Sequence, residues 1–213
     1  MANNRAVYGF KWVGSVNGSC YPKPIEKTVA TAYAAQVSAT DVDLNAGDPV
    51  QLVDDGTVAL ATAAQNPSTF YGVVVGFANV KVGLPLAGRK FSRLPAGTTY
   101  TLETDVSKVL VVPMAGSYWQ LDCDDNVTFT TLAGYRTACG ENANLSYTLD
   151  ITDPSRPKAT PRLDISDHNA TEGDLRIIEV SKTAENADFS GTSVKMIVCV
   201  NETGESPYVT AGI

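Results

Sequence analysis

The chain holds a single histidine, and its four cysteines stand far apart with no Cys-x-x-Cys among them. Closely spaced Cys and His pairs are what zinc sites and small disulfide frameworks are built from. Neither is expected, and Cys20, Cys123, Cys139 and Cys199 read as free thiols. Cys199, inside "VKMIVCV", suits a small buried side chain. Long apolar runs are missing too, so nothing reaches the length of a membrane-spanning helix. Nor is there a run of Lys or Arg: 16 basic residues face 23 acidic ones, a formal charge of −7 that disfavours contact with nucleic acid. The opening "MANNRAVYGFKW" lacks the charged-then-apolar layout of a secretory signal, so synthesis in the cytoplasm is expected.

Catalytic motifs are equally scarce. The sequence has no phosphate-cradling loop, dinucleotide fingerprint or His-Glu-x-x-His. Ser166 and His168, with a nearby aspartate, have the residue types of a nucleophile–base–acid triad. They lack the Gly-x-Ser-x-Gly elbow, and "RLDISDHNATEGD" reads as a loop, so a solvated histidine is expected. Asp167, Asn169 and Thr171 alternate as calcium ligands do, but Glu172 and Ile178 stand where an EF-hand needs its Gly and its final Glu. A looser oxygen cage would draw on Asp164, Asp167 or Asp174. Asp122, Asp124 and Asp125 are a second acidic group, read as an exposed turn after "YWQL". No enzyme activity, cofactor or metal is expected.

What the sequence does have is β-patterning. In "AGDPVQLVDDGTVALATAAQNPSTFYGVVVGFA", residues 46–78, Gly47-Asp48-Pro49 makes a turn because Pro49 fixes φ and Gly47 adopts angles other residues avoid. Val50, Leu52, Val58 and Leu60 alternate with polar or small neighbours, and Asp54-Asp55-Gly56 between them is a hairpin signal that puts Gly56 at positive φ. Tyr71 to Phe77 reads as a strand buried on both faces, with Gly72 and Gly76 marking a bulge or a close backbone approach.

Short strands separated by turns continue along the chain. They are predicted near 50–53, 57–62, 70–77, 99–104, 107–112, 118–122, 127–132, 145–151, 175–181 and 194–200, with one short helix at 31–39 and long loops across 150–174. The fold class this implies is all-β, an antiparallel β-barrel or sandwich with long loops. Residues 1–38 differ: Gly9, Gly14, Gly18, Pro22 and Pro24 break any regular element, yet Tyr8, Phe10, Trp12 and Tyr21 are costly to leave in water. This segment is expected either to dock on a neighbouring surface as an extended arm or to pack on its own domain. The domain reading is an arm at 1–38 and a β-domain at 39–213, with a division into two β subdomains, if there is one, near 113.

The Gly-Asp-Pro-Val turn, the hairpin and the "GVVVGF" strand resemble the β-barrel core of capsid cement (decoration) proteins of tailed bacteriophages. "NRAVYGFKWVGSVNG", "KVLVVPMAGSYWQLDCDD" and the stretch from "LRIIEVSKTAENADFSG" to the final "TAGI" resemble further segments of phage virion proteins. The resemblance implies a non-enzymatic structural protein on the outer capsid surface of a virion. It would bind the major capsid protein across capsomer junctions as a homo-oligomer, a trimer above all, without nucleic acid or membrane. Tyr8, Phe10, Trp12 and Tyr21 are then the expected interface residues. The alternative is a tail or fibre component that binds host glycans, with Tyr118, Trp119 and the 122–125 turn forming an aromatic and acidic groove.

Overall fold

Two curled sheets with a hydrophobic core on each side of one strand make up this protein. The computed structural model describes residues 9–15, 18, 22–29, 36–37, 40–41, 44–53, 56–61, 70–78, 93–94, 108–124, 129–150, 152, 158–169, 173–190 and 193–201. In chain order these carry β1 (Lys11–Ser15), β2 (Ile25–Thr28), β3 (Gln36–Val37), β4 (Thr40–Asp41), β5 (Leu44–Asn45), β6 (Pro49–Leu52), β7 (Val58–Leu60) and β8 (Phe70–Ala78). Then come β9 (Arg93–Leu94), β10 (Lys108–Pro113), β11 (Ser117–Asp122), α1 (Leu132–Thr137), β12 (Asn142–Asp150), β13 (Lys158–Asn169), β14 (Leu175–Val180) and β15 (Lys195–Val200).

The class is all-β, as the spacing predicts. A five-stranded antiparallel sheet runs β2-β10-β8-β6-β7, and a six-stranded one runs β1-β11-β15-β14-β12-β13. The strand pairs β3–β4 and β5–β9 stand apart from them. Each large sheet bends until distant strands touch through one parallel bridge, Val29 to Val58 in the smaller and Cys123 to Leu163 in the larger. Neither closes into a full barrel. The chain passes from one sheet to the other at a tight turn, where Gly116 takes φ +71° and Ser117 N–H donates to Met114 O at 3.1 Å.

The 46–78 stretch folds as its pattern predicts. β6 and β7 form a hairpin, closed by Val53 N–H to Thr57 O (2.9 Å) and Gly56 N–H to Val53 O (2.8 Å), with Gly56 at φ +80°. β8 has two bulges, one against β10 and one against β6. Gly72 is needed for close approach, since a Cβ there would lie 2.5 Å from both Val111 Cγ1 and Val112 O. β8 is buried on both faces. Phe70 and Val73 belong to the larger core with Trp119, Leu121, Leu163 and Ile177, while Tyr71, Val74 and Phe77 belong to the smaller one with Val50, Val109 and Val111.

Three expectations are corrected. First, residues 1–38 are not set apart from a domain beginning at 39: β1 pairs with β11 and β2 with β10, so this segment supplies a strand to each sheet. Second, the region 150–174 contains β13, the longest strand among the described residues, where Ala159, Pro161, Leu163 and Ile165 keep the period of two that its Asp and Pro content obscures. Pro161 is tolerated because β13 lies at a sheet edge. Third, in the strand expected at 127–132, residues 129–131 carry no strand and Leu132 opens α1, while 127–128 lie outside the described residues. Thr131 caps that helix by accepting from Gly134 N–H at 3.2 Å. The expected helix at 31–39 and strand at 99–104 lie outside the described residues, except that Gln36–Val37 form β3.

Two substitutions test the wall and its turn by urea unfolding. Gly56→Val should cost about 1 kcal/mol or more through strain at positive φ. Gly72→Ala should cost roughly 2 kcal/mol, because its Cβ meets backbone that cannot swing aside. Parental midpoints for both would contradict the hairpin and the double-sided packing.

Candidate functional site

The N-terminal aromatics come first, since interface roles were expected of them. Phe10 is only 4% exposed and lies in the larger core, its ring edge-on to Trp119 with centroids 6.3 Å apart. Its N–H donates to Gly47 O at 2.9 Å, which ties the segment to the other sheet's turn. Phe10 is thus a joint within the chain and presents no surface to a partner. Trp12 is half-buried opposite Trp119 in the β1–β11 register. Tyr8 and Tyr21 lie outside the described residues. Among the described residues of this segment the exposed large apolar side chains are instead Val13 (40%) and Ile25 (43%), on the edge strands β1 and β2. Val13 is the extra residue of a bulge, a signal legible only once the register is known.

The triad types do not assemble. His168 is on β13 rather than in a loop, stacked on Phe129 at 5.3 Å, with Nδ1 2.6 Å from Glu141 Oε2. Ser166 donates its hydroxyl (2.6 Å) and its N–H (3.1 Å) to Asp164 Oδ1, a local turn that leaves the hydroxyl committed. The calcium reading fares no better. Asp167 bonds Asn144, Asp174 is buried and accepts Leu145 N–H at 3.0 Å, and among the described residues no three His, Cys, Asp or Glu side chains converge as metal ligands. Of the residues named for the alternative glycan groove, Trp119 and Asp122 are buried, Tyr118 and Asp124 are half-buried, and Asp125 lies outside the described residues.

What sequence reading missed is a charged cluster inside the larger sheet. Asp122, expected in an exposed turn, faces Lys195 across the β11–β15 register, with Lys195 Nζ 3.7 Å from Asp122 Oδ1 and both side chains buried. Asn186 fixes the start of β15, donating to Ser181 O and Lys195 O and accepting Lys195 N–H at 2.8–2.9 Å. Arg162 is 1% exposed and donates from Nη2 to Ser193 Oγ at 2.9 Å. Ser193 holds φ +62°, a strained angle for a residue with a side chain, and this bond helps to hold it. Burial, then Asp124 and Asp122, push the Cys123 thiol well above its usual range, and burial raises Cys139 and Cys199. Reactive cysteines are lowered, so these three are built as packing groups.

A surface cleft of about 400 Å³ lies between α1 and residues 178–189, walled by Leu132, Val180 and Phe189 with Arg136, Glu179 and Lys182 at hand. Lys182 pairs with Glu179 at 2.6 Å. The cleft has the volume of a small-molecule site, and Cys139 and Ser181 line it, but Cys139 Sγ donates to Tyr135 O and Ser181 Oγ donates to Gln120 Oε1. No protein family matches the chain, and no curated protein or solved structure matches it either.

The Asp122–Lys195 pair yields a direct test. Asp122→Asn leaves a buried ammonium without its counter-charge and should cost about 3 kcal/mol in urea unfolding, whereas Asp122→Leu with Lys195→Met should recover most of that loss. Equal stability of Asp122→Asn and parent would contradict the burial of the pair.

Proposed function

We propose that this chain is a non-enzymatic structural protein of a tailed-phage virion, a cement protein that binds the outer capsid across capsomer junctions and stabilises the head. The observation that carries the reading is the fold of residues 46–78. The stretch on which the resemblance rests forms one antiparallel unit in which Gly72 permits close packing, β8 bulges against both neighbours and Gly56 closes the hairpin at positive φ. Its chemistry is that of a stiff scaffold, which is what a clamp between subunits requires.

The energetics are those of mass action. A protein that binds the assembled shell more tightly than free subunits favours assembly, and many copies multiply a modest individual affinity. A closed cyclic oligomer, a trimer above all, would place several contact surfaces on the major capsid protein at once. With Phe10 inside the core, the contact role moves to Val13 and Ile25, exposed on edge strands of the two sheets. The acidic balance of the chain favours the outer face of the shell over the side that meets DNA.

Two measurements test this. Antibody against the chain should label the whole head, and mass-spectrometric copy number should scale with the capsomers. Labelling confined to the tail, or absence from the virion, overturns the proposal. Purified protein should also co-sediment with heads that lack it and raise their survival on heating. A Val13→Asp, Ile25→Asp variant that melts like the parent should lose most of that binding. Deleting residues 1–38 should instead abolish folding, because β1, β2 and Phe10 go with it.

A further inference from the structure

The cleft between α1 and residues 178–189 has apolar walls and an unbalanced charge. Leu132 and Arg136 stand four apart and so share one face of α1, and Cys139 follows just past its end. Val180, buried, and Phe189, half-buried, continue the apolar lining on the other side. Glu179 is the one carboxylate among the described residues that line the cleft, and Lys182 takes it at 2.6 Å. Ser181 and Asn186 are committed too, to Gln120 and to the backbone of residues 181 and 195. The guanidinium of Arg136 is left: its residue is exposed, and it has no ion pair or side-chain hydrogen bond among the described residues. In a chain of net charge −7, a cation without a counter-charge therefore borders an apolar cleft of about 400 Å³.

We propose that this cleft binds a small amphipathic carboxylate, its apolar body held by Leu132, Val180 and Phe189 and its carboxylate by Arg136. The fork of a guanidinium matches a carboxylate with two parallel N–H donors, which fixes orientation as well as charge. The choice of ligand follows from what else is offered. Arg136 lies in the last turn of α1, where the helix ends in carbonyls, so a phosphate would meet one guanidinium and no cradle of backbone N–H groups. A cation would be repelled by the same guanidinium. The volume is at the small end of the roughly 300–1,000 Å³ that ligand sites occupy, which suits a ring or short alkyl chain and excludes a nucleotide or glycan chain. The site shares no residue with the edge strands of Val13 and Ile25 assigned to capsid contact, so it stands or falls apart from that role.

The test titrates the full chain with 3-phenylpropionate and follows backbone amide shifts by NMR. Saturable shifts should appear in α1 and 178–189. Arg136→Gln should weaken binding roughly tenfold, the scale of one charge-assisted pair. The uncharged 3-phenylpropanamide should bind the parent about as weakly as the acid binds Arg136→Gln, and inorganic phosphate should not compete. Because Arg136 is exposed, the variant should keep the parental urea midpoint, which separates lost binding from lost fold. Saturating probe should also slow maleimide alkylation of Cys139 severalfold, with Cys199 on β15 unchanged as an internal control. Shifts that do not saturate or that centre elsewhere, equal affinity for acid and amide, unchanged binding in Arg136→Gln, or Cys139 left unprotected each overturns the site. Competition by phosphate overturns its assignment to a carboxylate.

Discussion

Strand β8 is a wall with a hydrophobic core on either side, and the rest of the molecule is arranged around that constraint. Its residues are shared out, Phe70 and Val73 to one core and Tyr71, Val74 and Phe77 to the other. β10 beside it does the same, giving Val112 to the larger core and Val109 and Val111 to the smaller. A strand buried on both faces has no solvated side on which to place polar residues, which is why it reads as a near-continuous run of Val, Phe and Tyr. The bulges adjust which side chains face which core, and Gly72 lets Val111 and Val112 close over the backbone. Two further joints lock the sheets together. Phe10 bridges Gly47 and Trp119, and Tyr147 donates its hydroxyl across to Ala61 O at 2.6 Å.

The sheets also manage their open edges. β1 has a bulge at Val13, β2 presents Glu26 and Lys27, β7 is three residues long, and β13 carries Pro161. Each device discourages strand pairing with another copy along an open edge.

Legibility in the sequence followed the physics of each segment. The 46–78 unit was readable because turn residues and apolar alternation agree: Gly56 does sit at positive φ, and the two-faced strand is where the Val run predicts it. β13 was obscured because Asp164, Asp167 and Pro161 suggest a loop by composition, while the alternation of Ala159, Leu163 and Ile165 states a strand. The interior charges were out of reach. Asp122 looks like a turn residue until β15 supplies Lys195 from more than seventy positions away. The N-terminal aromatics were ambiguous for the same reason, since only tertiary pairing distinguishes a joint from an arm. Phe10 proved to be a joint.

If β8 is a shared wall, the two sheets cannot unfold independently, because losing either core exposes one face of the same strand. The direct measurement is a urea titration followed two ways. Tryptophan fluorescence reports the larger core through Trp12 and Trp119, and amide hydrogen exchange reports β6, β8 and β10 of the smaller sheet. The account predicts coincident midpoints and a single transition by both probes. Two separated transitions, with the β6 and β10 amides still protected after the tryptophan signal has been lost, would contradict it.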